Sequence, residues 1–119
     1  MHLLSEKITL QGLIDLGCLN GDVEEMLGGR VGFIFQPHGL GHLIGLDVHD
    51  VGGYLKKDPE RILKPGLKNL RTARCLKEGM CLTVEPGLYF RDFLLEGRLD
   101  SLGIDLKYLN LEKIREYQQ

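Results

Sequence analysis

The first third of the chain has the hydrophobic spacing of short helices. Apolar residues recur among polar ones at intervals of roughly 3.6 across residues 3–16, which is typical of an amphipathic helix, and Gly17 is expected to end it. Asp22 precedes a second helical segment at residues 23–27, where its side chain can cap the first turn before a pair of glycines stops the helix. We expect both helices to serve as scaffolding.

Three shorter segments have the composition of β-strands. Residues 31–35 are rich in β-branched and aromatic side chains. Residues 43–49 and 81–85 alternate locally, so the ionisable His49 and Glu85 would lie opposite an apolar face. The residues expected to point toward the core are Leu46, Val48, Leu82 and Val84. The sequence therefore predicts two strands that each carry an ionisable group away from the apolar side.

The remaining segments predict a surface loop and short C-terminal helices. Residues 56–68 are charged, contain two prolines and are typical of a loop. Two or three short helical stretches follow residue 90, the last at residues 109–117 with Leu111 and Ile114 on one face.

Composition narrows the classes of protein to which the chain can belong. A length of 119 residues fits one domain, since domains typically contain about 100–150 residues. The formal charge of 15 − 17 = −2 gives no basic surplus for a nucleic acid, and no apolar run approaches the roughly 20 residues that span a bilayer. The three cysteines lack CxxC spacing, and the N-terminus lacks the pattern of a secretory signal. Both observations favour a location in the reducing cytoplasm.

A cluster of histidines is the first sign of chemistry. Three of the four histidines, His38, His42 and His49, lie within twelve residues, and imidazoles with a carboxylate are plausible ligands for a divalent metal. Gly39 and Gly41 disfavour a helical HExxH site. The alternative is that the histidines pack in a glycine-rich turn and form hydrogen bonds with the backbone.

Two further charged residues have both a structural and a functional interpretation. Glu85 can be a solvated carboxylate at a strand end or a metal ligand. Arg71 can be a solvated cation or a guanidinium that grips a substrate carboxylate with two hydrogen bonds. Spacing alone does not decide between these interpretations.

Four sequence blocks in order resemble those of prolidase, the Xaa-Pro dipeptidase family of the pita-bread metallopeptidases. The blocks are PHGLGH at 37–42, GLDVHDVGGY at 45–54, LRTAR at 70–74 and EGMCLTVEPGLYF at 78–90. The resemblance implies an α+β, partial pita-bread fold, in which helices flank a curved antiparallel sheet. It also implies hydrolysis of Xaa-Pro dipeptides that end in proline or hydroxyproline, with two Mn²⁺ ions in the parent enzyme.

The resemblance also implies roles for matching residues. His42 would be a metal ligand, and Glu85 would be a second ligand that also shuttles a proton. His38 and His49 would line the substrate pocket and stabilise the tetrahedral intermediate, so both would be catalytic and substrate-binding. Arg71 would hold the C-terminal carboxylate of the dipeptide. The block around Arg71 favours the dipeptidase over related aminopeptidases.

The chain departs from the family in its ligand set. The family uses two aspartates and a second glutamate that have no counterpart here, so we expect residues 1–119 to be a single truncated part of the catalytic domain, with two of five metal ligands. We therefore expect weak or no metal binding and no activity from the isolated chain. Strands separated from their sheet partners would also favour a homodimer or other self-association.

Two alternatives remain open at this stage. The chain can be a non-catalytic pita-bread module that binds peptides or proteins. It can also be a mononuclear metal-binding protein, which would need further ligands from Asp47, Asp50 or a second copy of the chain.

Overall fold

Short helices are the regular elements of the computed structural model, which describes residues 1–92 and 99–118. The α-helices are α1 (His2–Asp15), α2 (Val23–Gly28) and α3 (Leu111–Arg115), and single 3-10 turns occur at Val31–Ile34, Asp100–Leu102 and Leu106–Tyr108. Within these ranges, no helix has the length and apolar character needed to cross a membrane.

Both N-terminal helices lie where the sequence predicts them. After α1, Gly17 adopts a φ of 74°, which favours glycine, and the amide of Cys18 donates to the carbonyl of Leu13 at 2.9 Å. The carboxylate of Asp22 accepts two amides of the first turn of α2 at 2.9 Å, as expected of an N-cap. The predicted stop and cap are therefore confirmed.

The buried face of α1 is less apolar than its pattern suggests. Leu10 and Leu13 are buried, but Ile8 is exposed, and Glu6 continues the buried face toward the N-terminus with an exposed fraction of only 4%. Glu6 Oε2 lies 2.7 Å from Nη1 of the buried Arg30. Burial raises the pKa of Glu6, although Arg30 acts in the opposite direction. An ion pair inside the protein thus joins α1 to the chain after α2.

The apolar core is built from the two ends of the chain. It contains side chains from α1, α2, the segments that follow these two helices, and the C-terminal part of the chain from Leu99 onward. Its fully buried members are Leu10, Leu13, Cys18, Leu19, Met26, Val31, Ile34, Phe35, Leu99, Ile104 and Ile114. Residues 37–90, which contain the four motif blocks, extend from this core.

The strand predicted at residues 31–35 is wrong. Val31–Ile34 forms a 3-10 turn, in which the amide of Phe33 donates to the carbonyl of Arg30 at 3.1 Å. The buried side chains are Val31, Ile34 and Phe35, a spacing of three and four rather than two. A helical turn therefore buries this apolar run better than a strand would.

The predicted curved antiparallel sheet is also wrong, because the described residues contain no β-strand. Residues 43–49 do not extend: the amide of Gly45 donates to the carbonyl of Asp47 at 3.2 Å, and the amide of Asp50 returns to Leu43 at 3.0 Å. This loop leaves the predicted inward residues exposed, namely Leu46 and Val48. Val84 is exposed as well. Residues 43 and 82 form only an isolated antiparallel bridge.

Hydrogen bonds around this bridge still bring two predicted site segments together. The amide of Glu85 donates to the carbonyl of Leu40 at 2.6 Å, and the amide of Thr83 donates to that of His42 at 2.8 Å. Gly41 permits the approach, because a Cβ atom there would overlap the Thr83 carbonyl. Residues 40–44 and 81–85 are therefore paired antiparallel without forming a sheet.

The loop and the last helix are observed with adjusted bounds. Residues 56–68 contain no helix or strand and are mostly exposed, as predicted. The predicted helix at 109–117 is shortened to α3, where Ile114 is buried but Leu111 is exposed. Part of the predicted helical stretch after residue 90 lies outside the described residues.

Candidate active site

One polar cavity of about 440 Å³ contains every site residue predicted from the sequence. It lies beside the paired segments 40–44 and 81–85, and Tyr89 and Asn69 complete its wall. The predicted residues that line it are His38, His42, His49, Arg71 and Glu85. The fold therefore brings together positions that are up to 47 residues apart in sequence, although their roles remain predictions.

His42 is held so that one ring nitrogen remains available to the cavity. Its side chain is buried, and Nδ1 donates to the carbonyl of Leu43 at 2.9 Å. Because Nδ1 is held by this carbonyl, Nε2 is the ring nitrogen that faces the cavity. Nε2 lies 2.9 Å from Oε1 of Glu85. A histidine anchored through Nδ1 in this way is oriented as a metal ligand usually is.

Glu85 presents a charged carboxylate to the cavity. Its side chain is 47% exposed, and its backbone is fixed by the bond to Leu40. The Thr83 hydroxyl, with a smaller contribution from His42, lowers the pKa of Glu85. The carboxylate is therefore ionised at neutral pH and can serve either as a ligand or as a proton acceptor.

His38 forms a second polar pair, with a residue to which the sequence analysis gave no role. Its Nδ1 donates to the carbonyl of Gly39 at 2.8 Å, and its Nε2 lies 3.0 Å from the hydroxyl oxygen of Tyr89. In the neutral ring the tyrosine hydroxyl must donate to Nε2. Tyr89 belongs to the block at 78–90, but only its contact with His38, 51 residues away in sequence, indicates a role in the site.

The other two predicted residues line the same cavity. The ring of His49 meets that of His42 edge to face, with centroids 4.5 Å apart and planes inclined by 68°. Arg71 is exposed on the wall, where its guanidinium has no hydrogen bond or ion pair with the described residues. His49 therefore contacts His42, the predicted metal ligand, directly. The guanidinium of Arg71 remains free to bind an anion.

The described residues supply two candidate metal donors to the cavity. His42 and Glu85 offer one nitrogen and one carboxylate, which are both donor types for divalent metals. The described part of the chain contains no group of three or more residues that could hold a metal. Neither Asp47 nor Asp50 lines the cavity, so they do not complete the site as the mononuclear alternative requires.

An apolar cavity of about 360 Å³ also borders the paired segments. Leu82, Thr83 and Val84 line it, whereas Glu85 lines the polar cavity. The alternation predicted for residues 81–85 is therefore wrong at Thr83, which shares the cavity of its two apolar neighbours because the segment is not a strand.

The chain is similar to known peptidases over most of its length. Residues 14–109 match the model of metallopeptidase family M24. The chain is 48% identical over 118 residues to the Xaa-Pro dipeptidase of Homo sapiens, which covers 99% of the chain and 24% of the human protein. It is 57% identical over 99 residues to the Xaa-Pro dipeptidase of Rattus norvegicus, covering 83% of the chain and 20% of the rat protein.

A more distant group of relatives carries a different name. The chain is 41% identical over 118 residues to a probable Xaa-Pro aminopeptidase of Botryotinia fuckeliana, covering 98% of the chain and 25% of that protein. The chain thus spans about a quarter or less of the length of the curated relatives that it matches. Because the family model covers most of its residues, the chain belongs to metallopeptidase family M24.

Proposed function

We propose that this chain forms part of the substrate and metal site of a manganese-dependent dipeptidase that hydrolyses Xaa-Pro dipeptides, including those ending in hydroxyproline. The observation that carries the proposal is the polar cavity shared by His38, His42, His49, Arg71 and Glu85. The identity to two mammalian Xaa-Pro dipeptidases supports the same substrate class.

Each side chain has a role that its position supports. His42 and Glu85 would hold the cation through Nε2 and a carboxylate oxygen, and the ion would polarise the scissile carbonyl when bound. Glu85 would also accept and return a proton. His38 and His49 would line the pocket around the developing oxyanion, and His38 would donate to it from a protonated Nε2 that exchanges its contact with the Tyr89 hydroxyl for the oxyanion. Arg71 would bind the free carboxylate of the dipeptide.

We also propose that the 119-residue chain does not hydrolyse dipeptides by itself. His42 and Glu85 are two of the five ligands that the family resemblance implies, and a pair of ligands binds a cation weakly. Purified chain incubated with Mn²⁺ and glycyl-proline should release no proline above buffer. Sustained release that disappears in Glu85→Ala would contradict this proposal.

A chimera tests the proposed function directly. In the chimera, this chain replaces the aligned quarter of the human relative, which supplies the rest of the protein. We expect glycyl-proline hydrolysis, with metal and activity lost together in His42→Ala. Arg71→Ala should raise KM for the dipeptide roughly ten- to a hundredfold and leave metal content unchanged, because a charge-assisted contact contributes about 1.5–3 kcal/mol.

The control substitution in the chimera is Lys57→Met, which removes an exposed cation outside the cavity. A folded chimera without activity would favour the peptide- or protein-binding alternative. An Arg71→Ala chimera with unchanged dipeptide kinetics would remove the assignment of this residue to the carboxylate.

We propose further that the isolated chain associates with itself and that the protein is cytoplasmic. Several large apolar side chains are strongly exposed and would favour a homodimer or larger species, namely Leu46, Val51, Leu63 and Ile8. Light scattering of the purified chain should detect dimers or larger species.

The exposed thiols of Cys75 and Cys81 suit a reducing compartment, and the net charge of −2 argues against a nucleic-acid partner. Neither cavity suggests a membrane as a partner.

A further inference from the structure

Arg71 reaches the polar cavity without any side-chain support. It is exposed, and its guanidinium forms no hydrogen bond or ion pair with the part of the chain that the structure describes. The direction of such a side chain depends on how firmly its own backbone is held. The contacts around residues 68–73 therefore decide whether Arg71 can present a fixed pair of donors to a ligand.

A stacked pair from the preceding loop holds this backbone. The Cζ atom of Arg61 lies 3.6 Å from the centroid of the Tyr54 ring, a close cation–π contact. The Tyr54 hydroxyl donates to the carbonyl of Leu70 at 2.8 Å, and Nη1 of Arg61 donates to the same carbonyl at 2.9 Å. Arg61 Nη1 also donates to the carbonyl of Lys68 at 2.8 Å. Three hydrogen bonds from two stacked side chains thus meet immediately before Arg71.

The other side of Arg71 is held by backbone contacts from the same loop. The amide of Ala73 donates to the carbonyl of Gly52 at 3.2 Å, and a Cβ atom at Gly52 would overlap the carbonyl of Arg71. Tyr54 adopts a φ of 71°, a left-handed conformation that an aromatic residue rarely takes. Such strain persists only where surrounding contacts fix it, and here those contacts are the ones made to Leu70 and Arg61.

From this geometry we propose that the Tyr54–Arg61 pair positions Arg71 for recognition of the substrate carboxylate. Tyr54 and Arg61 do not line the polar cavity, so they act on the ligand only through the backbone of residues 68–71. The proposal rests on the proposed function, because it assigns these residues to the same recognition step. Under this proposal, Tyr54 and Arg61 determine how strongly the site prefers a ligand with a free C-terminal carboxylate.

The test uses the ¹⁵N-labelled chain and two variants that disturb the pair to different extents. Tyr54→Phe keeps the stacked ring and removes one hydrogen bond, whereas Arg61→Met removes the cation and both of its hydrogen bonds. Lys57→Met is the matched control, because it removes a cation of the same loop that has no hydrogen bond or ion pair among the described residues. Circular dichroism verifies that each variant is folded.

Two NMR measurements separate the positioning of the backbone from recognition of the ligand. The first is hydrogen exchange of the Leu70 and Ala73 amides, which are bonded to Leu67 at 3.1 Å and to Gly52. The second is the ratio of affinities for glycyl-L-proline and glycyl-L-prolinamide, which differ in the carboxylate. We expect the wild-type chain to bind the acid about tenfold more tightly, and Arg61→Met to bring the ratio close to one.

Faster exchange together with a reduced ratio in Arg61→Met, an intermediate effect in Tyr54→Phe and none in Lys57→Met would support the proposal. Unchanged exchange would overturn it, since the pair would then not hold the backbone. Faster exchange with the wild-type ratio retained would overturn it too, because the pair would be merely structural. A wild-type ratio of one would refute the carboxylate role of Arg71, and the positioning role with it, whatever the exchange rates.

Discussion

The close approach at Gly41 allows a sharp test of how the site is assembled. Gly41→Ala would place a Cβ atom on the carbonyl oxygen of Thr83, which is backbone and cannot rotate away. The two segments must then separate, and the nearest bonds are Glu85 to Leu40 at 2.6 Å and Thr83 to His42 at 2.8 Å. Each such bond contributes about 0.5–1.5 kcal/mol net, so losing both costs about 1–3 kcal/mol of the free energy of unfolding.

A second glycine gives the matched control. Gly12 lies inside α1, and a Cβ atom there would have nothing within 4 Å. Gly12→Ala should therefore raise the free energy of unfolding by about 0.8–1 kcal/mol through helix propensity alone. The same chemical change thus has opposite expected signs at the two positions.

Urea unfolding monitored by circular dichroism measures both effects. The NMR signal of the His42 ring shows in addition whether its contact with Glu85 survives, and we expect it to shift only in Gly41→Ala. The reasoning is refuted if Gly41→Ala unfolds within about 0.5 kcal/mol of the wild type and leaves the His42 signal unchanged. The approach at Gly41 would then not determine how the segments pair.

Three further predictions concern the scaffold. Arg30→Met should lower the free energy of unfolding in urea by about 3–5 kcal/mol by leaving the buried Glu6 carboxylate unpaired, and adding Glu6→Leu should recover much of the loss. Burial and the charge of Arg30 lower the pKa of His2 from 6.5 to about 4. Because the unfolded chain then binds a proton more readily, the free energy of unfolding should decrease as pH falls from 6.5 toward 4. His2→Asn should weaken this pH dependence of the urea midpoint. Asp22→Ala should cost about 0.5–2 kcal/mol in thermal or urea unfolding, and Asp22→Ser should retain most of the cap.

Local signals in the sequence are sufficient for the first two helices. Gly17 and Asp22 act through their own backbone and the next turn, so their effects do not depend on distant contacts. Residues 31–35 show the limit of such signals, because a short apolar run fits a strand or a helical turn until its burial pattern is known. Residues 43–49 alternate as a strand does, yet two local hydrogen bonds close them into a loop.

The sequence likewise predicts which residues form the candidate site but not all of the contacts among them. The motif blocks identify His42, Glu85 and Arg71, and the fold places all three on one cavity, while their chemical roles stay predictions. The contact of Tyr89 with His38 joins two residues far apart in sequence, so no periodic pattern along the chain predicts it. The Glu6–Arg30 ion pair is equally non-local, since a charged residue on an apolar helix face is ordinarily expected in solvent.

The pairing of residues 40–44 with 81–85 has a consequence for how sequences of this kind can vary in length. This register brings His42 and Glu85 onto the polar cavity, so inserting a single residue within 40–42 or 83–85 would move one of them away from the other. The turn at residues 75–79 is exposed and precedes the second segment without taking part in the pairing. Insertions and deletions should therefore accumulate in that turn, while the spacing within each short segment stays fixed.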